Sequence, residues 1–272
     1  MADGTRLWSS PPPPRGILRA PVPDGVLDGR RVLPSARLAS HVHHFWSLRW
    51  SLRSPFTAES LPHPAAQILN IESRPQLLGV HTGRLGRTLV GEGRMFGIAF
   101  RPAMFQPPSC GAMAELTDRV VPLEHVLGPK ANEWSRALRE ARDVEHELEI
   151  TERFLCAVLP PATTELERLR DLMERIAFDR AILRAEDAAA VSGLDLRALQ
   201  RSFHTHVGVS PKWVIRRYRL LEAAVQLRSA SPPTLAGLSS ALGYADQAHF
   251  GRDFKRAIGQ TPRAFAHAAA GV

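Results

Sequence analysis

Cysteine is nearly absent from this sequence: Cys110 and Cys156 are the two in 272 residues. They show no paired spacing, which argues against a disulfide framework or a structural zinc site and fits a reducing cytoplasm. Long apolar runs are missing too. None approaches the roughly 18 residues that a membrane-spanning helix needs. The N-terminus lacks the basic-then-apolar layout of a secretory signal, because Pro11 to Pro14 stand where the apolar core belongs. No nucleophile elbow, phosphate loop, dinucleotide fingerprint or paired metal-binding helix occurs. These gaps argue against an enzyme, and no catalytic residue, cofactor or metal is expected.

What is present reads as ordinary globular protein, with 44% hydrophobic and 23% charged residues. The length suits two modest domains. Charge is unevenly placed. Net charge is +8, and from Asp195 onward 11 Lys/Arg stand against 4 Asp/Glu, while the rest of the chain is nearly balanced at 24 against 23. A basic tail of this kind attracts polyanions and releases their counterions. On charge alone, a solvated basic surface explains it as well.

The patterning divides the chain into an irregular Pro/Gly-rich arm (1–36), a β-rich region (37–128), a helical connector (129–162) and an all-helical region (163–272). In the β region, Val42, His44, Trp46, Leu48 and Trp50 alternate with His41, His43, Phe45, Ser47 and Arg49. Apolar stretches at 67–71, 76–81 and 94–100, punctuated by glycine, suggest a small barrel or sandwich. Trp134, Leu138, Ala141 and Val144 then recur at helical spacing, with a second helix over 148–159. These helices are suited to joining domains and pairing two subunits.

Two constellations in the β region suggest ligands. His41, His43 and His44, joined by His63 and His81 and by Glu59, Glu72 or Glu92, suggest a metal site. Solvated histidines are the preferred alternative. His44, Trp46, Trp50 and Arg101 make a candidate small-molecule site, although core packing competes for the tryptophans and pairing with Glu92 or Glu115 competes for Arg101.

The helical region contains one motif twice. A scaffold helix with Leu169, Leu172, Met173 and Ile176 on one face precedes a short helix, the turn Ser192-Gly193, and a helix over 195–207. Leu196, Leu199 and Phe203 face inward there, leaving Arg197, Gln200 and Arg201 outside near the N-terminus. In the second unit a short helix leads through Gly243 to a helix over 246–258. Phe250 and Phe254 face inward. Gln247, Ala248, His249 and Arg252 are left for base edges, with Lys255 and Arg256 for phosphates. Ser210-Pro211 opens the helix between the units, with Val214, Tyr218, Leu221 and Val225 on one face and Arg216, Arg217 and Arg219 on the others. Such a strut spaces two helices for successive major grooves.

The run Gly243-Tyr244-Ala245-Asp246-Gln247-Ala248-His249-Phe250-Gly251-Arg252-Asp253-Phe254-Lys255-Arg256-Ala257-Ile258-Gly259-Gln260-Thr261-Pro262 resembles the signature of the AraC/XylS family. Leu199-Gln200-Arg201-Ser202-Phe203 and Gly208-Val209-Ser210-Pro211 resemble it as well. The resemblance covers about residues 165–267. It implies a seven-helix domain with two helix-turn-helix units, and base contacts at Arg197, Gln200, Arg201, Gln247, Ala248, His249 and Arg252. Gly237, Ser239 and Ala248 depart from the family pattern. Leu61-Pro62-His63-Pro64, Gly79-Val80 and the run 96–102 resemble a cupin-like companion domain, which in related regulators binds effectors, dimerises or both. The resemblance thus implies a cytoplasmic, effector-responsive, dimeric regulator of transcription acting on double-stranded DNA, with RNA polymerase as a further partner. The alternatives are an architectural DNA-binding protein and a cupin-type metal enzyme fused to a DNA-binding domain.

Overall fold

The computed structural model describes residues 24–61, 63–107, 109–229 and 231–270. The first 23 residues of the expected arm lie outside the described residues. The arm's later part is a strand rather than irregular chain: β1 (Gly25–Val32) pairs antiparallel with β2 (Val42–Leu52). Its Gly, Arg and Asp residues conceal the pattern, because an edge strand needs few buried side chains.

Six strands form one antiparallel sheet in the order β1-β2-β7-β4-β5-β8. The remaining members are β4 (Gln67–Ile71), β5 (Arg74–Leu78), β7 (Glu92–Phe100) and β8 (Val120–Pro122). A second sheet pairs β3 (Phe56–Ser60) with β6 (Leu85–Leu89). Leu27, Trp46, Leu48, Trp50 and Met95 of the large sheet cluster with Phe56 and Leu89 of the small one, giving a small sandwich.

Two local devices shape β2. A bulge lies between Val42, opposite Phe100, and His44, opposite Ala99. An extra residue reverses the alternation. Val42 therefore shares a core with Phe45 instead of the Trp46 face that strict alternation assigns it. Further along, Trp46 faces Gly97 and Trp50 faces Gly93 across the ladder. A Cβ would lie 2.1 Å from the Trp46 ring at Gly97 and 2.2 Å from the Trp50 ring at Gly93, so the glycines make room for the indoles.

The connector helices belong to the core of the β domain. After the short α1 (Glu124–Leu127), α2 (Lys130–Arg139) and α3 (Val144–Val158) cover the Phe45 side of the sheet. Trp134 stacks on Phe154 with centroids 5.0 Å apart and donates to Thr151 Oγ1 at 3.0 Å. Asp143 caps α3 four residues past the end of α2. The single stripe expected from Trp134 to Val144 is thus split between two helices.

Seven helices follow: α4 (Thr164–Phe178), α5 (Ala185–Ser192), α6 (Leu196–His206), α7 (Pro211–Gln226), α8 (Leu235–Ala241), α9 (Gln247–Ile258) and α10 (Pro262–Ala270). Helix α7 is their hub and touches α4, α5, α6 and α9. A hub is buried on several sides, which changes the sequence-based assignment of its faces. Arg217 and Arg219 are buried, and burial pushes the Arg217 guanidinium down to about 9. Val225, expected inside, is 65% exposed. Arg219 donates to the carbonyl oxygens of Ile176 and, at 2.9 Å, Asp179, and pairs with Glu222 at 2.7 Å. It thereby occupies carbonyls at the end of α4 that have no partner within that helix.

The domains touch directly. The 3-10 helix Met113–Leu116 packs against α6. Thr117 Oγ1 donates to the Gly208 carbonyl at 2.6 Å, and Gln106 Nε2 donates to the His206 carbonyl at 3.0 Å. Arg101 bridges to Glu174 of α4 at 2.9 Å. The Arg84 guanidinium lies close over Gly259, at the end of α9, and would have to shift to admit a Cβ there.

Candidate nucleic-acid interface

Each helix-turn-helix unit is built from local signals. Gly193 (φ 70°) and Gly243 (φ 75°) take the left-handed conformation that their turns require. Asp195 then accepts the Ala198 N–H at 2.8 Å, and Asp246 accepts the His249 N–H at 2.6 Å. These caps start α6 and α9 at defined residues. The bonds to the His249 and Ala248 amides hold the Asp246 carboxyl below the usual carboxylate range. At Gly237 the small residue sits in a capped first turn, its N–H 3.1 Å from Thr234 Oγ1. The buried Ser239 hydroxyl is satisfied by the Ala236 carbonyl at 2.9 Å.

Leu199 and Phe203 of α6, and Phe250, Phe254 and Ile258 of α9, are buried in one core. Arg197, Gln200 and Arg201 are exposed on α6; Gln247, Ala248, Arg252, Lys255 and Arg256 are exposed on α9. His249 is placed differently. It is half-buried, and its Nε2 lies 2.7 Å from an Arg216 nitrogen and 3.8 Å from Asp253. Guanidinium only donates, so His249 Nε2 accepts and Nδ1 carries the ring's donor hydrogen. Arg216 was expected to point away from the core; its guanidinium instead contacts the buried carboxylate of Asp253. A carboxylate on the inward side of α9, among phenylalanines, is the sequence signal for a cationic partner on the neighbouring helix.

Helix α7 has 16 residues and is about 24 Å long at 1.5 Å per residue. Its capping hydroxyl, Ser210 Oγ, accepts the Trp213 N–H at 3.2 Å. The structure thus presents two capped helices, both touching this central one, with exposed Arg and Gln side chains on their outer faces. Hydrogen-bond donors and acceptors of this kind match base edges, and the basic residues farther along α9 match phosphates.

The four candidate ligand residues are not gathered into one pocket. Trp46 and Trp50 pack in the sandwich core, and Trp50 also borders an open cleft lined by Arg49, Glu72, Arg94 and Arg139. Arg101 donates to the Ala39 carbonyl at 2.7 Å and pairs with Glu174, not with Glu92 or Glu115. His44 lies with its Nδ1 2.8 Å from that of His43. Among the described residues no group of three or more His, Cys, Asp or Glu is arranged to hold a metal ion.

Burial, followed by the charges of His43, Arg31 and His63, brings His44 down to about 3. An unfolded histidine takes its proton near 6.5. This group's contribution to stability is therefore complete above about 6.5 and is lost as pH falls from there through about 3. In NMR titration of the full chain, the His44 ring resonances should stay flat from about pH 8 to pH 5. A midpoint near the ordinary histidine value would contradict this burial.

Comparison with known proteins gives two domain matches. Residues 30–122 match a domain of unknown function (DUF6597), and residues 188–268 match a helix-turn-helix domain. The HTH-type transcriptional activator RhaS of Pectobacterium carotovorum is 36% identical over 76 residues, 28% of this chain and 27% of RhaS. The chain thus spans about a quarter of the length of the RhaS relatives it matches. The regulatory protein SoxS of Salmonella typhimurium is 36% identical over 85 residues, 31% of this chain and 78% of SoxS. Among solved structures, ToxT from Vibrio cholerae O395 aligns with 92% of this chain and 99% of its own at 11% identity, with a TM-score of 0.40.

Proposed function

Because this chain belongs to the AraC family of helix-turn-helix regulators, we propose that it regulates transcription by binding a specific duplex DNA site through α6 and α9, under control of its β domain. The observation that carries this reading is the pair of capped helices meeting one central helix with their polar faces exposed. The two faces differ in sequence, so the site they read is asymmetric. A second copy of the chain, joined through the N-terminal half, and RNA polymerase are further partners. The setting is the cytoplasm, consistent with two free cysteines. No described helix is long and apolar enough to cross a membrane.

Control by a small-molecule effector is supported by the contacts between domains. The β domain reaches the first unit through Gln106 and Thr117 and the second through Arg84. A ligand that favours one β-domain conformation would shift the relative placement of the two recognition helices, as linkage requires.

Selection of binding sites from random DNA, with and without a metabolite library, tests the reading. Arg201→Ala should weaken the selected site by about 1–3 kcal/mol while leaving random DNA nearly unchanged. Lys255→Ala should weaken all sequences alike and reduce the salt slope by about one charge. Uniform protection of random duplexes by the wild type would reject base reading.

A further inference from the structure

The two recognition helices are anchored by different means. Counted from their aspartate caps, Leu199 and Phe203 of α6 correspond to Phe250 and Phe254 of α9, and Ser202 corresponds to Asp253. The C-terminal end of α6 is tied to the β domain by Gln106 and Thr117. In α9 the buried Asp253, 8% exposed, contacts Arg216 on α7. Arg216 also donates to His249 and lies 5.8 Å from the centroid of the Tyr244 ring, which meets the His249 ring edge-on at 5.2 Å. One arginine of the central helix thus contacts the turn before α9, its first turn and its middle.

We propose that Arg216 and Asp253 act as a positioning pair that sets the rotation of α9 on α7, and so determines which bases Gln247, Ala248 and Arg252 reach. Phenylalanines alone allow a helix to roll, because apolar packing is non-directional. An ion pair between the half-buried Arg216 and the buried Asp253 carboxylate supplies a directional contact that apolar packing lacks. His249 then serves as part of this clasp through Nε2. This inference rests on the DNA-binding reading above.

The test uses the full chain and its selected site, with base substitutions placed either in the half contacted by α6 or in the half contacted by α9. Asp253→Asn keeps the shape and removes the charge. It should reduce discrimination at the α9 half at least tenfold and leave the α6 half within about twofold. Arg216→Ala should do the same, and the double variant should be no worse than either single one. Hydrogen exchange should accelerate in α9 and not in α6. A uniform loss on all sequences with a shallower salt slope would make Arg216 a phosphate contact and overturn the proposal. Retained discrimination at the α9 half would overturn it too. A wild type with no base preference would instead reject the function reading, and unchanged α9 exchange in the variants would then dispose of the clasp as well.

Discussion

Arg219→Ala should cost the C-terminal domain about 3–5 kcal/mol, the range for breaking a buried, hydrogen-bonded charge pair by removing one partner. Arg219 is 2% exposed and serves three acceptors at once: the Ile176 and Asp179 carbonyls and the Glu222 carboxylate. Removing it leaves two carbonyls at the end of α4 without this donor. Glu222 keeps only the Arg180 guanidinium, at 2.5 Å, as a charged partner. Arg219→Lys should recover only part of the loss, since an ammonium lacks the planar fork that spans separated acceptors. Urea unfolding of the full chain, followed by the signal of the C-terminal helices, measures the effect. A loss below about 1 kcal/mol would mean that the Arg219 contacts are incidental.

Gly208→Ala should have the next largest effect, and should act on the junction between domains. Gly208 has φ 93°, a conformation that any side chain strains, at about 1–3 kcal/mol. A Cβ there would also lie 2.9 Å from the Met113 carbonyl oxygen and from Thr117 Oγ1. Something must move, and the backbone around Met113 belongs to the β domain. The expected result is a lower melting temperature together with faster proteolysis of the segment between α3 and α4. Thr117→Ala removes only one hydrogen bond to Gly208 and should cost about 1 kcal/mol. Equal effects of the two substitutions would place the strain elsewhere.

The helix-turn-helix units were legible because their signals are short-range. Aspartate caps, left-handed glycines and apolar residues at three and four apart all act within about a dozen positions. The β domain was legible in class but not in detail. The bulge beside His43 moved Val42 to the other face, and β1 was hidden in a stretch rich in Gly and Arg. Glycine at 93 and 97 pointed to bulges or turns, while the structure shows seats for two indoles.

The caps, the turns and the inward stripes of α6 and α9 followed from neighbours along the chain, since a helix start or a turn is decided by groups a few bonds away. Contacts between distant segments were settled only by the fold. Arg101 meets Glu174 across 73 residues, Gln106 meets His206 across 100, and Arg216 meets His249 across 33. Charge and spacing identify an arginine as a donor, but which acceptor it reaches depends on how whole elements pack. Burial then follows from that packing: the central position of α7 hides Arg217 and Arg219, while Val225 falls on its exposed side.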